Sequence, residues 1–343
     1  MALSAPVREF LAAQRLGFGG APIGNLYRAI PDEPAVALVR HAWECGIRYF
    51  DTAPHYGHGL SEQRTGAALR DLPRDSFVLS TKVGRLLRHD AAAPTAQHGY
   101  VDLPPLIQHY DYSRDGLLRS LADSGTRLGL QRIDIVFVHD LDRATHGDQF
   151  DHHFRVLLES GLPALAELKA AGAIGGYGIG VNGVDICLQT LRHADLDVIL
   201  LAGRYTLADQ SALPVLLPQC VRRAVAVILG GPFNSGILAT GARPADGTLP
   251  FFNYAPAPPE IVDRVAAIEE CCRAFAVPLP AAALQFPTAG PAIAIVLAGA
   301  RTSAELDTNI ALARMPIPAG FWVQLRERGL IAPAARLPES PPP

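Results

Sequence analysis

Four residues that can move a proton together stand at or near the ends of apolar runs in the sequence. Asp51, Lys82 and His139 each follow a different run, and Tyr56 comes five residues after Asp51. A carboxylate at the mouth of a buried strand is costly unless it has a partner. Because Lys82 ends the next run along the chain, we expect an ion pair between Asp51 and Lys82.

The chemistry of such a group follows from its charges. An adjacent carboxylate keeps a buried lysine protonated, and that cation is expected to lower the pKa of Tyr56 from its ordinary value of about 10. A tyrosine tuned in this way exchanges a proton with a carbonyl or hydroxyl near neutral pH. His139 can orient the same oxygen. A proton-transfer site needs a hydride acceptor, and since no flavin or metal motif is present, a nicotinamide is the simplest choice.

Strands and helices that position these residues alternate along the chain. The strands are continuous apolar runs, as in a parallel sheet buried on both faces. The first predicted strand is short and runs into a glycine turn within 15–24; the others cover 47–50, 76–81, 132–138, 173–181, 197–202, 224–230 and 292–299. The predicted helices cover 34–44, 61–69, 113–128, 162–171, 184–193, 211–223, 259–276, 280–289, 303–313 and 318–329.

Eight such units without a split point predict an α/β fold, a closed (β/α)8 TIM barrel formed by one domain of 343 residues. Functional groups in this fold lie at the carboxyl ends of the strands, so the four residues are expected to meet at the barrel mouth. The stretch 84–112 is predicted to be a functional loop or a surface excursion, and 141–160 a loop. The proline-rich tail, 332–343, is predicted to be frayed.

Composition excludes several classes of function. Apolar residues make up 49% of the chain and the net charge is -3, which favours a large core and gives no reason to expect a nucleic acid or an anionic membrane as partner. No signal peptide or run of 18 apolar residues is evident, and the five cysteines show no spacing suited to zinc. We therefore predict a cytoplasmic protein with buried thiols, a small-molecule substrate and no metal. Composition makes no prediction about oligomeric state.

Two glycine-rich segments are similar to the dinucleotide fingerprint G-x-G-x-x-G. The segment that starts at Gly17 has Pro22 where the third glycine is required. The segment with Gly178, Gly180 and Gly183 precedes a helix but lacks the acid that closes the next strand of a Rossmann unit. We predict instead a tight turn at the mouth of the first strand for the segment at Gly17. For Gly178, Gly180 and Gly183 we predict that small residues let the barrel wall approach a ligand.

A metal site is the competing interpretation. His55 and His58, together with Asp51 and His139, would supply ligands of the kind found in barrel hydrolases. No second histidine-rich strand end completes the set, so we rank this interpretation below proton transfer.

The run 46–57, G-I-R-Y-F-D-T-A-P-H-Y-G, resembles the most specific motif of the aldo-keto reductases. The family's catalytic tetrad falls on Asp51, Tyr56, Lys82 and His139. Further segments, 82–87, 111–116, 135–140, 201–207 and 230–238, resemble its aldose dehydrogenase subgroup. The resemblance implies oxidation of the anomeric hydroxyl of an aldose of the L-fucose or D-threo type to a lactone, or else oxidation of pyridoxal through its hemiacetal. Some relatives of this fold are non-enzymic, channel-associated subunits that bind cofactor. The intact tetrad argues against that function here.

The resemblance also implies a cofactor site. Asn182 would hold the nicotinamide carboxamide, although Val181 stands where the family usually has serine and 202–204 lack its glutamine. The remaining expected cofactor residues lie near the first strand and after the last two, and are Gly20, Gly231, Phe233, Ser235, Gly236, Leu238, Gly299, Arg301, Ser303, Glu305 and Asn309.

Cofactor choice and substrate choice are predicted from single positions. NADP-preferring members carry a lysine where this chain has Gly299 and an arginine where it has Glu305, so NAD is predicted over NADP, with Arg301 and Ser303 as opposing features. The residues expected to select the substrate are Phe18, His55, Arg85, His109 and Tyr254.

Overall fold

The computed structural model describes residues 3–339. The strands are β1 (Leu16–Gly19), β2 (Tyr49–Asp51), β3 (Val78–Val83), β4 (Arg85–His89), β5 (Leu106–Tyr110), β6 (Ile135–His139), β7 (Gly176–Val181), β8 (Val198–Ala202), β9 (Ala226–Gly230), β10 (Phe251–Phe252), β11 (Ala255–Pro256) and β12 (Ile293–Ala298). The helices are α1 (Ala5–Ala12), α2 (Asp32–Glu44), α3 (Leu60–Leu69), α4 (Arg114–Leu128), α5 (Arg143–His146), α6 (Phe150–Val156), α7 (Leu162–Ala170), α8 (Val184–His193), α9 (Leu216–Arg222), α10 (Ile237–Thr240), α11 (Pro259–Ala274), α12 (Leu279–Gln285), α13 (Ser303–Arg314) and α14 (Ala319–Glu327).

Eight parallel strands close into a barrel in the order β1-β12-β9-β8-β7-β6-β3-β2. The first and last barrel strands pair in register, with Leu16 beside Val296 and Phe18 beside Ala298. The predicted (β/α)8 barrel is therefore confirmed, and the carboxyl ends of all eight strands open at one mouth.

Two apolar layers hold the barrel together. Alternate strand residues such as Tyr49, Ile135 and Leu297 fill the interior, where they pack with Val7 and Leu11 of α1. The sequence did not predict α1, which lies at the end of the barrel opposite the mouth and covers this inner layer. The strand residues that alternate with the inward-pointing ones face outward and pack under the helices.

Helix boundaries follow from local capping. The Ser113 side chain accepts a hydrogen bond from the Gly116 N–H group at the start of α4, and Gly129 adopts φ 63° directly after its end. Helix α9 is shorter than the helix predicted over 211–223. Residues 211–215 form turns, and the helix begins only at Leu216.

Part of the stretch 84–112, predicted to be a functional loop or a surface excursion, forms regular secondary structure. Residues 85–89 and 106–110 form an antiparallel hairpin, β4–β5, that hydrogen-bonds to itself and not to the barrel strands. Likewise, 141–160 was predicted to be a loop, but it contains α5, α6 and a π-helical turn that continues into α7. Both segments are too short and too mixed in polarity for their periodicity to be read.

The tail is more ordered than predicted over its first residues. Ala332 donates its N–H to Gln210 Oε1, and the buried Ala335 accepts a hydrogen bond from Arg326 at 2.5 Å. The prediction of fraying from 332 is thus wrong for 332–335, and the predicted positions 340–343 lie outside the described residues. Among residues 3–339, no helix combines the length and apolar character needed to cross a membrane.

Candidate active site

Strand parity places the polar residues at the mouth. Tyr49, Val78 and Ile135 point into the barrel, so residues an even number of positions further along the same strands do so too. Asp51, Lys82 and His139 satisfy that condition. They surround or lie beneath a cavity of about 660 Å³ that opens at the mouth and is also lined by Tyr56.

Lys82 and Asp51 form a buried ion pair. Lys82 Nζ donates to Asp51 Oδ2 at 2.7 Å and to the Thr52 carbonyl at 2.9 Å, and Ser80 Oγ donates to Asp51 Oδ1 at 2.7 Å. The two side chains are 1% and 3% exposed. Burial raises the pKa of Asp51 above its ordinary value, while the charge of Lys82 opposes that rise. The predicted pair is therefore present, with every oxygen of the carboxylate bonded.

Tyr56 packs on this pair, but its pKa moves in the direction opposite to the one predicted. Lys82 Nζ lies 4.4 Å from the centre of the Tyr56 ring. Burial, and secondarily the charge of Asp51, raises the pKa of Tyr56 well above 10. The expected lowering by Lys82 is wrong for the site as it stands, because burial of the Tyr56 hydroxyl, aided by the Asp51 charge, outweighs any effect of the lysine. Tyr56 is thus protonated at neutral pH.

His139 completes the group as a neutral imidazole. Burial, followed by the charges of Arg85 and Lys82, lowers the pKa of His139 well below 6.5. Its ring lies 6.0 Å from the Tyr56 ring at 88°. Within the described residues, the buried Nδ1 atom of His139 has no hydrogen-bond partner, so the imidazole retains capacity to bind a ligand.

A second polar network comes from the hairpin. Arg85 on β4 forms an ion pair with Asp140 and donates to Gln108 Oε1 on β5 at 2.9 Å. His55 Nδ1 lies 3.1 Å from Arg85 Nη1 and 2.7 Å from Gln108 Nε2. Burial, followed by the Arg85 charge, lowers the pKa of His55 to about 2. His55 is therefore neutral and accepts through Nδ1, which leaves its Nε2–H as a donor.

Aromatic rings form a second part of the cavity wall, which meets this network at His55. Tyr100 stacks near Tyr56, with ring centres 6.3 Å apart at 26°, and contacts His55 at 5.2 Å. Tyr27 and Tyr254 line the outer part of the same cavity. The cavity thus has a polar wall around Arg85 and Gln108 and an aromatic wall around Tyr100, which share His55, and Lys82 also lines it.

Two predicted substrate residues do not reach this cavity. Phe18 is 1% exposed and packs 6.1 Å from Phe50 in the outer layer, because its neighbour Gly17 occupies the inward position on β1. His109 is exposed on β5, where alternation turns Gln108 inward instead. His55, Arg85 and Tyr254 do line the cavity as predicted.

Two of the four residues of the alternative metal site are held by other partners. Both oxygens of Asp51 are bonded to Lys82 and Ser80. His58 is 2% exposed, and its Nδ1 lies 2.8 Å from the Leu106 carbonyl. The rings of His55 and His139 do lie close together, 5.7 Å between centres, but the engagement of Asp51 and His58 argues against a barrel metallohydrolase.

Comparison with known proteins identifies the family to which this chain belongs. The profile described as "Aldo/keto reductase family" matches residues 15–328. The chain belongs to the aldo/keto reductase family. The resemblance found in the sequence is confirmed.

Relatives of this aldo/keto reductase include dehydrogenases of matching length. D-threo-aldose 1-dehydrogenase from a Pseudomonas species is 42% identical over 328 residues, 94% of this chain and 95% of that protein. Pyridoxal 4-dehydrogenase from Microbacterium luteolum is also 42% identical, over 95% of this chain and 96% of that protein. A solved glycerol dehydrogenase from Gluconobacter oxydans shares the fold, with a TM-score of 0.70 at 20% identity over 96% of this chain and 94% of that one. The protein is therefore an NAD(P)-dependent oxidoreductase.

Residues around the inner end of the cavity fit the nicotinamide of such a cofactor. Asn182 lines the cavity directly after β7, and its backbone carbonyl accepts from Arg204 Nε at 2.6 Å. Gly180 lines the same cavity, and a Cβ atom there would lie 3.3 Å from Phe137 Cβ and in ordinary van der Waals contact, 3.5 Å, with Lys82 Cε. That this glycine lets the barrel wall approach a ligand stays a prediction.

The loop after β9 has an unusual backbone suited to a close approach by a ligand. Ser235 and Gly236 adopt φ of 60° and 111°, and Gly231 adopts 58°. The Ser235 hydroxyl accepts from the Tyr254 N–H group at 2.9 Å, which joins this loop to the outer part of the cavity. Phe233 is half-buried, whereas Leu238 is fully buried in the core and presents no side chain to a ligand.

The loop after β12 and the start of α13 are organised by a capping box. Thr302 Oγ1 accepts from the Glu305 N–H group at 3.1 Å, and Glu305 Oε2 accepts from the Arg301 N–H group at 2.8 Å. Asn309 donates to the Gly299 carbonyl at 3.3 Å. Among the described residues, the buried Nε of Arg301 has no partner.

Two of the remaining predicted cofactor positions have different surroundings. Ser303 is exposed as the first residue of α13. Gly20 packs against protein, since a Cβ atom there would lie 2.6 Å from Ser61 Oγ and 2.7 Å from the Asp51 carbonyl. Packing against protein atoms therefore explains the glycine at position 20.

The sequence did not reveal several residues that shape the site. Asp140, Gln108, Tyr100 and Tyr27 contact the network or line the cavity. Asp140 directly follows His139, so its place after a strand was a usable signal. Gln108 and Tyr100 come from the hairpin and its connecting loop, whose inward positions depend on pairing that single-sequence patterns do not fix.

Proposed function

We propose that this aldo/keto reductase oxidises the anomeric hydroxyl of a cyclic aldose to the lactone, with NAD as the oxidant. The observation that carries the proposal is the position of Lys82 Nζ, 2.7 Å from Asp51 Oδ2 and 4.4 Å from the Tyr56 ring centre, in a cavity shared with His139. That arrangement suits removal of a hydroxyl proton as the bond to hydrogen on the same carbon breaks.

The proposed roles follow from charge and position. Tyr56 accepts the hydroxyl proton, and Lys82 stabilises the phenolate form of Tyr56 that does so. Asp51 holds Lys82 in place, and neutral His139 orients the reacting oxygen by a hydrogen bond. The nicotinamide supplies the acceptor for the hydride that leaves the anomeric carbon. The carbon loses a hydride and its hydroxyl loses a proton, so the hemiacetal becomes the lactone carbonyl.

The polar wall supports a substrate with several hydroxyl groups. Arg85, Asp140, Gln108 and His55 offer donors and acceptors on one side of the cavity. A site built to bond hydroxyl groups discriminates strongly against ligands that lack them, because its buried polar groups would be left unpaired. We therefore favour aldoses over simple aldehydes.

A preference for NAD is supported by two positions at the expected adenosine end. The carboxylate of Glu305 is held in the first turn of α13, where it would repel a 2′-phosphate. A side chain at Gly299 would meet Pro22 at 2.7 Å, so no lysine fits there without a shift. The substitution Glu305→Gln preserves the capping box but removes the charge. We expect it to tighten NADP binding with little change for NAD, measured by fluorescence titration. Equal tightening of both cofactors, or a wild-type preference for NADP, would contradict the proposal.

Pyridoxal is the second candidate because of the aromatic wall. Tyr100 and His55 meet at 5.2 Å and 78°, a surface that suits a flat pyridine ring. The hemiacetal of pyridoxal also oxidises to a lactone, so the same four residues would serve.

A substrate panel separates the candidates. L-fucose, D-arabinose, L-galactose and pyridoxal are each incubated with NAD, and NADH absorbance is followed with and without a chelator. We expect turnover of the sugars that a chelator does not affect, with the Tyr56→Phe variant as the inactive control. Turnover of pyridoxal alone would favour the second candidate. Turnover that a chelator abolishes, or none with any of the four, would contradict the proposal.

A further inference from the structure

Three different metal-ligating side chains meet on the outer wall of the barrel, where α2 packs against α13. His41 and Cys45 lie four residues apart at the end of α2, and Asp307 lies in the second turn of α13. Within residues 3–339, this is the one group of three or more histidine, cysteine or acidic side chains whose ligand atoms come within 4.8 Å of one another. The sequence predicted buried thiols, but Cys45 is half-exposed and the other four cysteines are buried.

The spacing of the three ligand atoms is close to that around a tetrahedral ion. Cys45 Sγ lies 3.5 Å from His41 Nε2 and 3.7 Å from Asp307 Oδ1. A tetrahedral Zn²⁺ with ordinary bond lengths separates sulfur from nitrogen or oxygen ligands by about 3.6 Å. His41 Nε2 and Asp307 Oδ1 are hydrogen-bonded at 2.8 Å and would separate to about 3.4 Å around the ion.

The surroundings of the cluster allow a cation to enter. The side chains of His41 and Asp307 are 32% and 56% exposed, so solvent reaches the site. Glu44 Oε2 lies 3.9 Å from His41 Nδ1, too far for a hydrogen bond, and adds a second negative charge near the site that favours a cation.

We propose that His41, Cys45 and Asp307 form a Zn²⁺ site with one thiolate, one imidazole and one carboxylate ligand. Three protein ligands leave the fourth position of the ion open to water. The ligand set is borderline in softness, so Co²⁺ and Cd²⁺ bind there as spectroscopic substitutes.

Binding is coupled to loss of the thiol proton, because Zn²⁺ is ligated by the thiolate form of cysteine.

The site joins elements from the two ends of the chain. Helix α2 follows the first barrel strand and α13 follows the last, and those two strands pair to close the barrel. A metal bound across them stabilises the folded state by mass action, since the unfolded chain does not hold the three ligands together. Cys45 lies before β2 and Asp51 at its end, so the metal and the mouth occupy opposite ends of that strand.

The test is metal binding by protein from which any histidine tag has been removed. Zn²⁺ affinity is measured by calorimetry, and Co²⁺ by its thiolate charge-transfer absorption. We expect one ion per chain, the sulfur band with Co²⁺, and a rise in the unfolding temperature. The Cys45→Ser variant should lose the sulfur band and bind Zn²⁺ at least about tenfold more weakly. Asp307→Asn, an exposed change that does not threaten folding, should also weaken binding.

Matched controls define the outcome that overturns the proposal. Cys272→Ser removes another thiol, and His153→Ala removes one ring of a separate pair, His146 and His153, whose centres lie 4.7 Å apart. Neither control should change Zn²⁺ affinity. No binding by the wild-type chain, or equal affinity in the wild type, Cys45→Ser and Asp307→Asn, overturns the site. Loss of Zn²⁺ binding in His153→Ala alone also overturns the proposed site, because the ion would then bind at His146 and His153.

Discussion

Lys82 and Asp51 are joined by a 2.7 Å hydrogen bond, with both side chains almost completely removed from solvent. A buried ion pair gains little stability overall, but removal of one partner leaves an uncompensated charge. The pair therefore supplies the charge next to Tyr56, and substitution of either partner alone is expected to destabilise the fold.

Substitution of either partner should destabilise the fold. Lys82→Met is expected to lower the free energy of unfolding by about 3–5 kcal/mol, because the Asp51 carboxylate stays buried without its partner. Urea denaturation measures the change. The matched control is Asp151→Asn, which breaks the exposed Arg143–Asp151 pair and should cost less than about 1 kcal/mol. Equal losses in the two variants would contradict the energetic argument.

Removal of the Tyr56 hydroxyl should abolish proton transfer and spare binding. In Tyr56→Phe we expect kcat to fall by at least about 10²-fold with cofactor affinity unchanged, since the ring still packs on Lys82. Steady-state kinetics and cofactor fluorescence measure the two effects. Tyr100→Phe, which changes the stacked neighbour in the same cavity, is the control and should retain most of kcat. Substantial turnover by Tyr56→Phe would remove Tyr56 from the mechanism.

The rate of oxidation should increase with pH. The pKa of Tyr56 is raised, so its neutral form predominates at neutral pH, whereas proton removal from substrate requires the phenolate. Thus kcat/KM for oxidation should rise toward alkaline pH, and the reverse reduction, which needs the protonated form, should fall. The pKa values of His139 and His55 are lowered, so neither histidine should titrate between pH 6 and 8. A step in the profile near 6.5 would argue that one of them does.

The polar wall should control substrate affinity more than catalysis. Gln108→Ala removes a bond to Arg85 and a contact with His55, so we expect KM for the preferred substrate to rise about tenfold with a smaller change in kcat. His109→Ala lies on the outer face of the same hairpin strand and should leave both constants unchanged. An equal effect of the two variants would indicate that the hairpin acts only through its general stability.

Much of the architecture was predictable because its signals are local. The continuous apolar runs and their alternation with helices gave the barrel, and parity along the strands brings Asp51, Lys82 and His139 to one face. The capping box at the start of α13 is also visible in the sequence as Thr302 and Glu305.

The errors came from long-range context. Whether Phe18 or Gly17 faces the barrel interior depends on the register with β12, which is set by pairing across the closing seam. The direction of the Tyr56 pKa shift depends first on how completely the ring is buried and then on the Asp51 charge, and spacing in the sequence reveals neither. The Cys45 cluster was missed because a helical His41–Cys45 pair acquires its third ligand from a residue more than 260 positions away.

The β4–β5 hairpin is paired only with itself, although it supplies Arg85 and Gln108 to the cavity. Proton transfer, in contrast, depends on residues anchored in or beside the barrel strands. Mutations in the hairpin can therefore accumulate without disturbing the sheet that carries the reaction. The two functions therefore lie on separate structural elements: changes in the hairpin would alter which substrate binds, while the barrel strands would keep the residues that transfer the proton.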